Sequence, residues 1–211
     1  MRATVVALFA DVVEPNAYAR RVSEAQECSC PWPHPPGEDE FRHVVSIVAP
    51  GIAVTGQPMK ADAVPRRSWE LRGVDLVIDV TDDGSPFTRP DTALRRAWLP
   101  TPDDGSPRDP RWFEAITGAA GDTESVLVHC HVGVARGPSA AFAIMLHRGW
   151  HELDALEAVM FGRPIATVAY AVDAFRWCAG AAVDEARVER LEARRRDLVR
   201  LLRARLVRGD T

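Results

Sequence analysis

Cysteine is scarce in this chain: four in 211 residues, at positions 28, 30, 130 and 178. That is too few to staple a disulfide scaffold, and a reducing compartment is the expectation. A basic excess is lacking too. With 26 basic against 30 acidic residues the net charge is −4, the wrong sign for a general nucleic-acid binder. Lysine occurs once, at Lys60, which reads as a compositional bias of the source and not as a functional signal. No apolar run approaches the ~18 residues of a membrane span. The short apolar start closes at Asp11 and Glu14 with no small-residue cleavage site after it. Repeats and low-complexity tracts are missing as well. The expectation is a soluble, cytoplasmic protein with neither nucleic acid nor membrane as a partner.

What is present suits one domain with trimmings. The hydrophobic fraction of 46% and charged fraction of 27% lie near the globular average, and the length can bury a real core. Residues 1–40 read as an irregular arm, because Cys28-Ser-Cys-Pro-Trp-Pro-His-Pro-Pro-Gly37 carries four prolines. A strand-and-helix alternation follows. Short β-like runs at Val44–Ala49 and Ile52–Thr55 precede a helix over 60–72. Asp75–Val80 is an apolar run typical of a strand buried on both faces, and Leu94–Leu99 is a further strand. Asp109-Pro110 supplies a cap and a first-turn proline for a helix over 110–120. Ser125–His129 reads as a strand, Pro138–Leu146 as a helix, and two more helices are expected at 151–161 and 165–180. The alternation predicts an α/β fold: a mainly parallel central sheet flanked by helices. From 181 to 211 the chain reads as a charged helix with eight arginines between 190 and 208. Leu191, Leu198, Leu202 and Leu206 share one face of it. That stripe suits packing on its own domain, with self-association through the helix as the alternative.

The informative stretch is Val126-Leu-Val-His-Cys-His-Val-Gly-Val-Ala-Arg-Gly-Pro-Ser-Ala140. Cys130 falls where a strand ends and Arg136 where a helix begins. A tight loop entering a helix N-terminus turns backbone N–H groups inward, and the helix dipole adds positive charge, so the loop forms an oxyanion nest. Its members are His131, Val132, Gly133, Val134, Ala135 and Arg136, and the Arg136 guanidinium can clamp two phosphate oxygens. A cysteine at the base of such a nest is favoured as the thiolate nucleophile. The arrangement is that of a nucleophile aimed at phosphorus.

His129-Cys130-x-x-Gly133-x-x-Arg136 resembles the signature loop of the protein tyrosine phosphatase superfamily, in particular its compact dual-specificity branch. The resemblance covers roughly 41–180, including Ile52-Ala-Val-Thr-Gly-Gln-Pro58, Leu71-Arg-Gly-Val-Asp-Leu-Val-Ile-Asp-Val-Thr81 and the pair Arg163-Pro164. It implies a phosphomonoester hydrolase, on phosphotyrosine or with dual specificity, that works through a phosphocysteine on Cys130 and needs no metal or cofactor. The substrate would be a phosphorylated protein or a small phosphomonoester. Arg136 and the loop amides would stabilise the equatorial oxygens, while His129 orients the loop and supports the ionised cysteine. An acid must protonate the leaving oxygen. Pro100-Thr-Pro-Asp-Asp-Gly-Ser-Pro107 lies where the family keeps it, with Asp104 the first choice and Asp103 the second. One departure stands out: the residue after Arg136 is Gly137, where most members carry a serine or threonine that eases departure of the thiolate. Ser139 is the substitute if its hydroxyl points back.

Two other function classes fit the loop less well. One is a phosphate-binding relative without turnover, to which Gly137 lends weight. The other is a different thiol enzyme, an arsenate reductase or sulfurtransferase, which needs no acid loop. Asp82 and Asp83 read as a turn with a minor claim to line the pocket. Cys28, Cys30 and His34 lack a fourth ligand for zinc. The loop carries no lysine, which tilts the reading away from phosphoinositides.

Overall fold

A computed structural model describes residues 44–56, 73–82 and 95–209. The arm over 1–40, the helix expected over 60–72, Asp83 and the group Cys28, Cys30 and His34 lie outside the described residues. Among the described residues the chain forms strands β1 (Ser46–Ala49), β2 (Ile52–Gly56), β3 (Leu76–Asp79) and β4 (Arg95–Trp98). Helix α1 (Pro110–Ala120), strand β5 (Val126–Cys130), and helices α2 (Arg136–His147), α3 (Glu152–Gly162), α4 (Ala171–Ala179) and α5 (Glu185–Arg208) follow. The sheet order is β1-β2-β5-β3-β4. Only the β1–β2 pairing is antiparallel; β2–β5, β5–β3 and β3–β4 run parallel. This is the expected α/β architecture.

Local chemistry explains the elements. Asp109 accepts from the Arg111 amide at 2.9 Å with Pro110 at the first helical position, so α1 starts where cap and proline place it. Its buried residues Trp112, Phe113, Ile116, Thr117 and Ala120 form one helical stripe. All of β3 and β5 is buried, as continuous apolar runs in a parallel interior require. Helix α2 is buried from Arg136 to Leu146 and packs against α1, α3 and α4 as well as β5 and β2. Alanines at 140, 141 and 143 let it sit close to all of them.

Two stretches differ from the expectation. The helix expected over 165–180 begins only at Ala171, because the preceding amides are engaged elsewhere. Thr167 N–H donates to the Val134 carbonyl at 2.8 Å, and Tyr170 N–H donates to the Ser139 hydroxyl at 3.0 Å. The tail helix starts at Glu185, capped by Asp184, after a 3₁₀ turn at Gly180–Ala182. Its stripe of Val188, Leu191, Leu198 and Leu202 is buried in the same hydrophobic core as the sheet, where each large side chain contributes about 1.5–3 kcal/mol. Of the expected stripe, Leu191, Leu198 and Leu202 pack on the domain in this way, whereas Leu206 is only half-buried.

Candidate active site

Cys130 closes β5, and Gly56 on β2 pairs with it in register. The loops at the carboxyl ends of β5, β3 and β4 therefore meet on one side of the sheet, where open parallel sheets bind ligands. The thiol is buried, and its Sγ accepts from the Gly133 amide at 3.2 Å. Ala135, which precedes α2, offers no side-chain cap, so the first amides of α2 are left for an anion.

The loop is shaped from beneath by Arg163, whose side chain is completely buried. Its guanidinium donates to the carbonyls of Gly133, Val132 (2.9 Å) and Val44 (3.0 Å), and to the Ser46 hydroxyl at 3.1 Å. Drawing the Val132 carbonyl down turns the N–H of the same peptide, that of Gly133, up toward the thiol. Burial pulls the Arg163 pKa down to about 10, and the Cys130 charge pushes it back up. Gly133 is needed twice over: its φ is +76°, and a Cβ there would lie 2.8 Å from the Arg163 Cζ.

Arg136 is buried to within 2% and reaches back over the loop. Its Nη1 donates to Asp82 Oδ1 at 2.7 Å and to the Thr101 carbonyl at 2.8 Å, which uses both hydrogens of that nitrogen. Nε makes no hydrogen bond, with Asp103 Oδ2 3.4 Å away. The Nε edge is thus the one left for a bidentate oxyanion. Burial works against the guanidinium charge, but the Asp82 bond and the charges of Cys130, Asp103 and Asp82 outweigh it and raise the Arg136 pKa. In return the Arg136 bond holds the Asp82 carboxyl below the usual carboxylate range, against the effect of burial. His131 Nε2 lies 3.4 Å from the same Asp82 oxygen.

The two candidate acids separate. Asp104 Oδ1 accepts from the Ser106 amide at 3.0 Å and from Arg108; these two bonds lower its pKa. Arg108 is itself buried, bonded to the Thr101 hydroxyl at 2.9 Å and the Pro102 carbonyl at 2.7 Å. Asp104 therefore belongs to the internal bracing of its loop. Asp103, the second choice, faces the site: its Oδ1 accepts from the Tyr170 hydroxyl at 3.1 Å and its Oδ2 lies toward Arg136. Of the two, Asp103 is therefore the one whose carboxyl lies beside Arg136.

His129 is fully buried, with Nε2 3.8 Å from Asp79 Oδ1. Burial lowers its pKa, followed by an opposing push from the Asp79 charge. Asp79 in turn accepts from the amide (2.9 Å) and hydroxyl (2.7 Å) of Thr81, which fixes the chain just before Asp82. Ser139 does not fill the place expected for it. Its hydroxyl donates to the Ala135 carbonyl at 2.8 Å and accepts from Tyr170 N–H, so its one hydrogen is already committed away from the thiol. The side of Sγ where a hydroxyl would stand is occupied by Gly137, whose Cβ position is 3.4 Å from the sulfur.

Val132, Val134 and Ala135 complete the loop as apolar, half-buried side chains. Asp82 was legible as more than a turn former: it lies three residues beyond β3, parallel to β5, and such loops converge. Tyr170 and Arg108 carried no local signal. Among the described residues no helix is long and apolar enough to cross a membrane, and no three His, Cys, Asp or Glu side chains are grouped to hold a metal ion.

No protein-family model matches the sequence, and no curated protein sequence matches it. Solved structures do match, and they define the fold as that of the dual-specificity phosphatases. The crystal structure of DUSP15 aligns at 17% identity over 73% of this chain and 94% of its own, with a TM-score of 0.53. Human DUSP28 aligns at 20% identity, 72% and 99% coverage and a TM-score of 0.53. Human tyrosine phosphatase-like serine/threonine/tyrosine-interacting protein aligns at 19% identity, 67% and 99% coverage and a TM-score of 0.54. At these identities the likeness is one of fold.

Proposed function

We propose that this protein is a cysteine-dependent phosphatase acting on phosphomonoesters, phosphotyrosine among them. The observation that carries the reading is a buried thiol under an inward-facing amide, with a buried arginine over the same loop whose Nε makes no hydrogen bond. A phosphate seated there would be held by the α2 amides and the Nε side of Arg136, with Sγ behind the phosphorus. Cys130 attacks as the thiolate; the S–P bond forms as the P–O bond to the leaving group breaks. The leaving oxygen takes a proton from Asp103, whose Oδ2 lies 3.4 Å from Arg136 Nε. Asp103 then accepts a proton from water as that water attacks phosphorus, which releases phosphate and restores the thiolate. Arg136 and the amides stabilise the equatorial oxygens in both steps. Aryl phosphates such as phosphotyrosine suit a lysine-free loop rimmed by Asp82 and Asp103, which disfavours highly anionic phosphoinositides. A working thiol also suits reducing, cytoplasmic surroundings.

Hydrolysis of an aryl phosphate, with and without chelator, tests the reading on wild type and Cys130→Ser. Activity that survives chelator and disappears in Cys130→Ser is the expected result. Gly137 favours one alternative, an anion-binding relative without turnover: retained vanadate binding with no hydrolysis by the wild type would establish it.

A further inference from the structure

We infer that Tyr170 is a positioning residue for the acid: its hydroxyl fixes the Asp103 carboxyl so that the dissociable proton rides on Oδ2, the oxygen facing the phosphate. The inference rests on the phosphatase reading above and deepens it. The Tyr170 O–H donates to Asp103 Oδ1 at 3.1 Å, across 67 residues of sequence. An oxygen that accepts this bond serves as the carbonyl oxygen of the protonated carboxyl, which leaves Oδ2 to carry the proton. Oδ2 is the oxygen 3.4 Å from Arg136 Nε, on the edge where the phosphate would sit. Asp103 is otherwise half exposed on a loop, and without this bond its carboxyl could turn and place the proton on either oxygen.

Three further observations converge on the tyrosine. Its ring is clamped, with the Arg108 guanidinium 4.6 Å over the centroid and Trp112 edge-on at 6.4 Å. Its backbone is tied to α2 through the Ser139 hydroxyl. The turn that delivers it carries strain: Val168, buried and β-branched, has φ +44°, a conformation such residues rarely adopt. The turn is held in it by Ala171 N–H on the Val168 carbonyl at 3.0 Å and Thr167 N–H on Val134. Burial and the Asp103 charge both raise the Tyr170 pKa, which keeps it a donor at neutral pH.

The test compares phenyl phosphate, whose phenol needs protonation as it leaves, with nitrophenyl phosphate, whose leaving group departs with little help. Wild type, Cys130→Ser, Asp103→Asn, Tyr170→Phe and the double variant Tyr170→Phe/Asp103→Asn are measured, each with its thermal midpoint. Tyr170→Phe keeps the ring and so the packing. It is expected to slow phenyl phosphate hydrolysis about tenfold, a share of the ~100-fold or more an acid supplies. Nitrophenyl phosphate hydrolysis should stay within about twofold, and the double variant should be no worse than Asp103→Asn alone. Equal losses on both substrates, an added loss in the double variant, or no loss at all overturns the inference. Turnover by Cys130→Ser would instead overturn the phosphatase reading itself. Full phenyl phosphate hydrolysis by Asp103→Asn would remove the acid assignment and the inference with it.

Discussion

Replacing Gly133 by alanine strikes the contact between the signature loop and Arg163, and its cost can be worked from the structure. The left-handed backbone, φ +76°, costs an L-residue about 1–2 kcal/mol. The added Cβ would overlap the Arg163 guanidinium, 2.8 Å from Cζ and Nε. An arginine tip on the surface would swing aside at little cost. This one is buried on every side, and moving it sacrifices at least the bonds to the Gly133 and Val132 carbonyls. A hydrogen bond from a charged donor is worth about 1.5–3 kcal/mol. Together these terms give a destabilisation of about 4 kcal/mol or more, a large part of the 5–15 kcal/mol that holds a typical domain. For a chain of this length that is a fall in Tm of about 8–16 °C. The control is Gly149→Ala, where φ is +84° and a Cβ would meet nothing within 4 Å; it should cost only the backbone term, about 1–2 kcal/mol. Urea or thermal unfolding of the two variants reads the difference. Equal losses for Gly133→Ala and Gly149→Ala would refute the claim that Arg163 is a fixed foundation for the loop.

On the proposed mechanism, the Gly137 and Ser139 geometry predicts that phosphoenzyme hydrolysis is the slow step. A pre-steady-state burst of phenol is expected, unchanged in Ser139→Ala. It should shrink in Gly137→Ser, whose hydroxyl would stand beside Sγ and speed the second step about tenfold, the effect of one hydrogen bond to a charged atom; a wild type without a burst contradicts this. Away from the site, Glu152 is buried at the start of α3 and bound twice by Arg187 of α5, at 2.9 and 2.6 Å. The Arg187 bond holds the Glu152 pKa below its ordinary 4.5. Because the folded pKa is the lower one, the contribution is present above the unfolded value and lost as pH falls through the folded one. Glu152→Gln should therefore lower Tm by a few degrees at neutral pH, and its Tm should converge with that of wild type below pH 4.5. A gap that persists unchanged into acid would show the ion pair to be irrelevant.

The parts of this molecule legible in the sequence are those whose causes are local. Asp109-Pro110 fixes the start of α1 by bonding within three residues, and the run from Val126 to Val128 is apolar because both faces of β5 are covered. The Cys130-to-Arg136 spacing likewise predicts a loop entering a helix. What the sequence could not convey depends on partners far along the chain. Asp103 and Asp104 are adjacent and chemically identical; Arg108 braces one and Tyr170 holds the other, and only the folded chain says which. The start of α4 differs from the sequence expectation for the same reason, since the amides of Thr167 and Tyr170 answer to Val134 and Ser139.

A repeated pattern joins the two sides of this division. Thr81-Asp-Asp-Gly-Ser-Pro86 and Pro102-Asp-Asp-Gly-Ser-Pro107 are almost the same turn sequence, and each follows a short strand. Those strands, β3 and β4, are parallel neighbours in register, so Asp82 and Asp103, which lie just beyond them, stand on the same side of the sheet as the loop after β5. The first acidic residue of each pair comes to Arg136, Asp82 onto Nη1 and Asp103 toward Nε. One carboxylate anchors the guanidinium, and the other stands at the edge left open for an anion. Once the sheet is parallel, the resemblance between the two segments ceases to be only turn chemistry, because topology delivers both acids to one arginine.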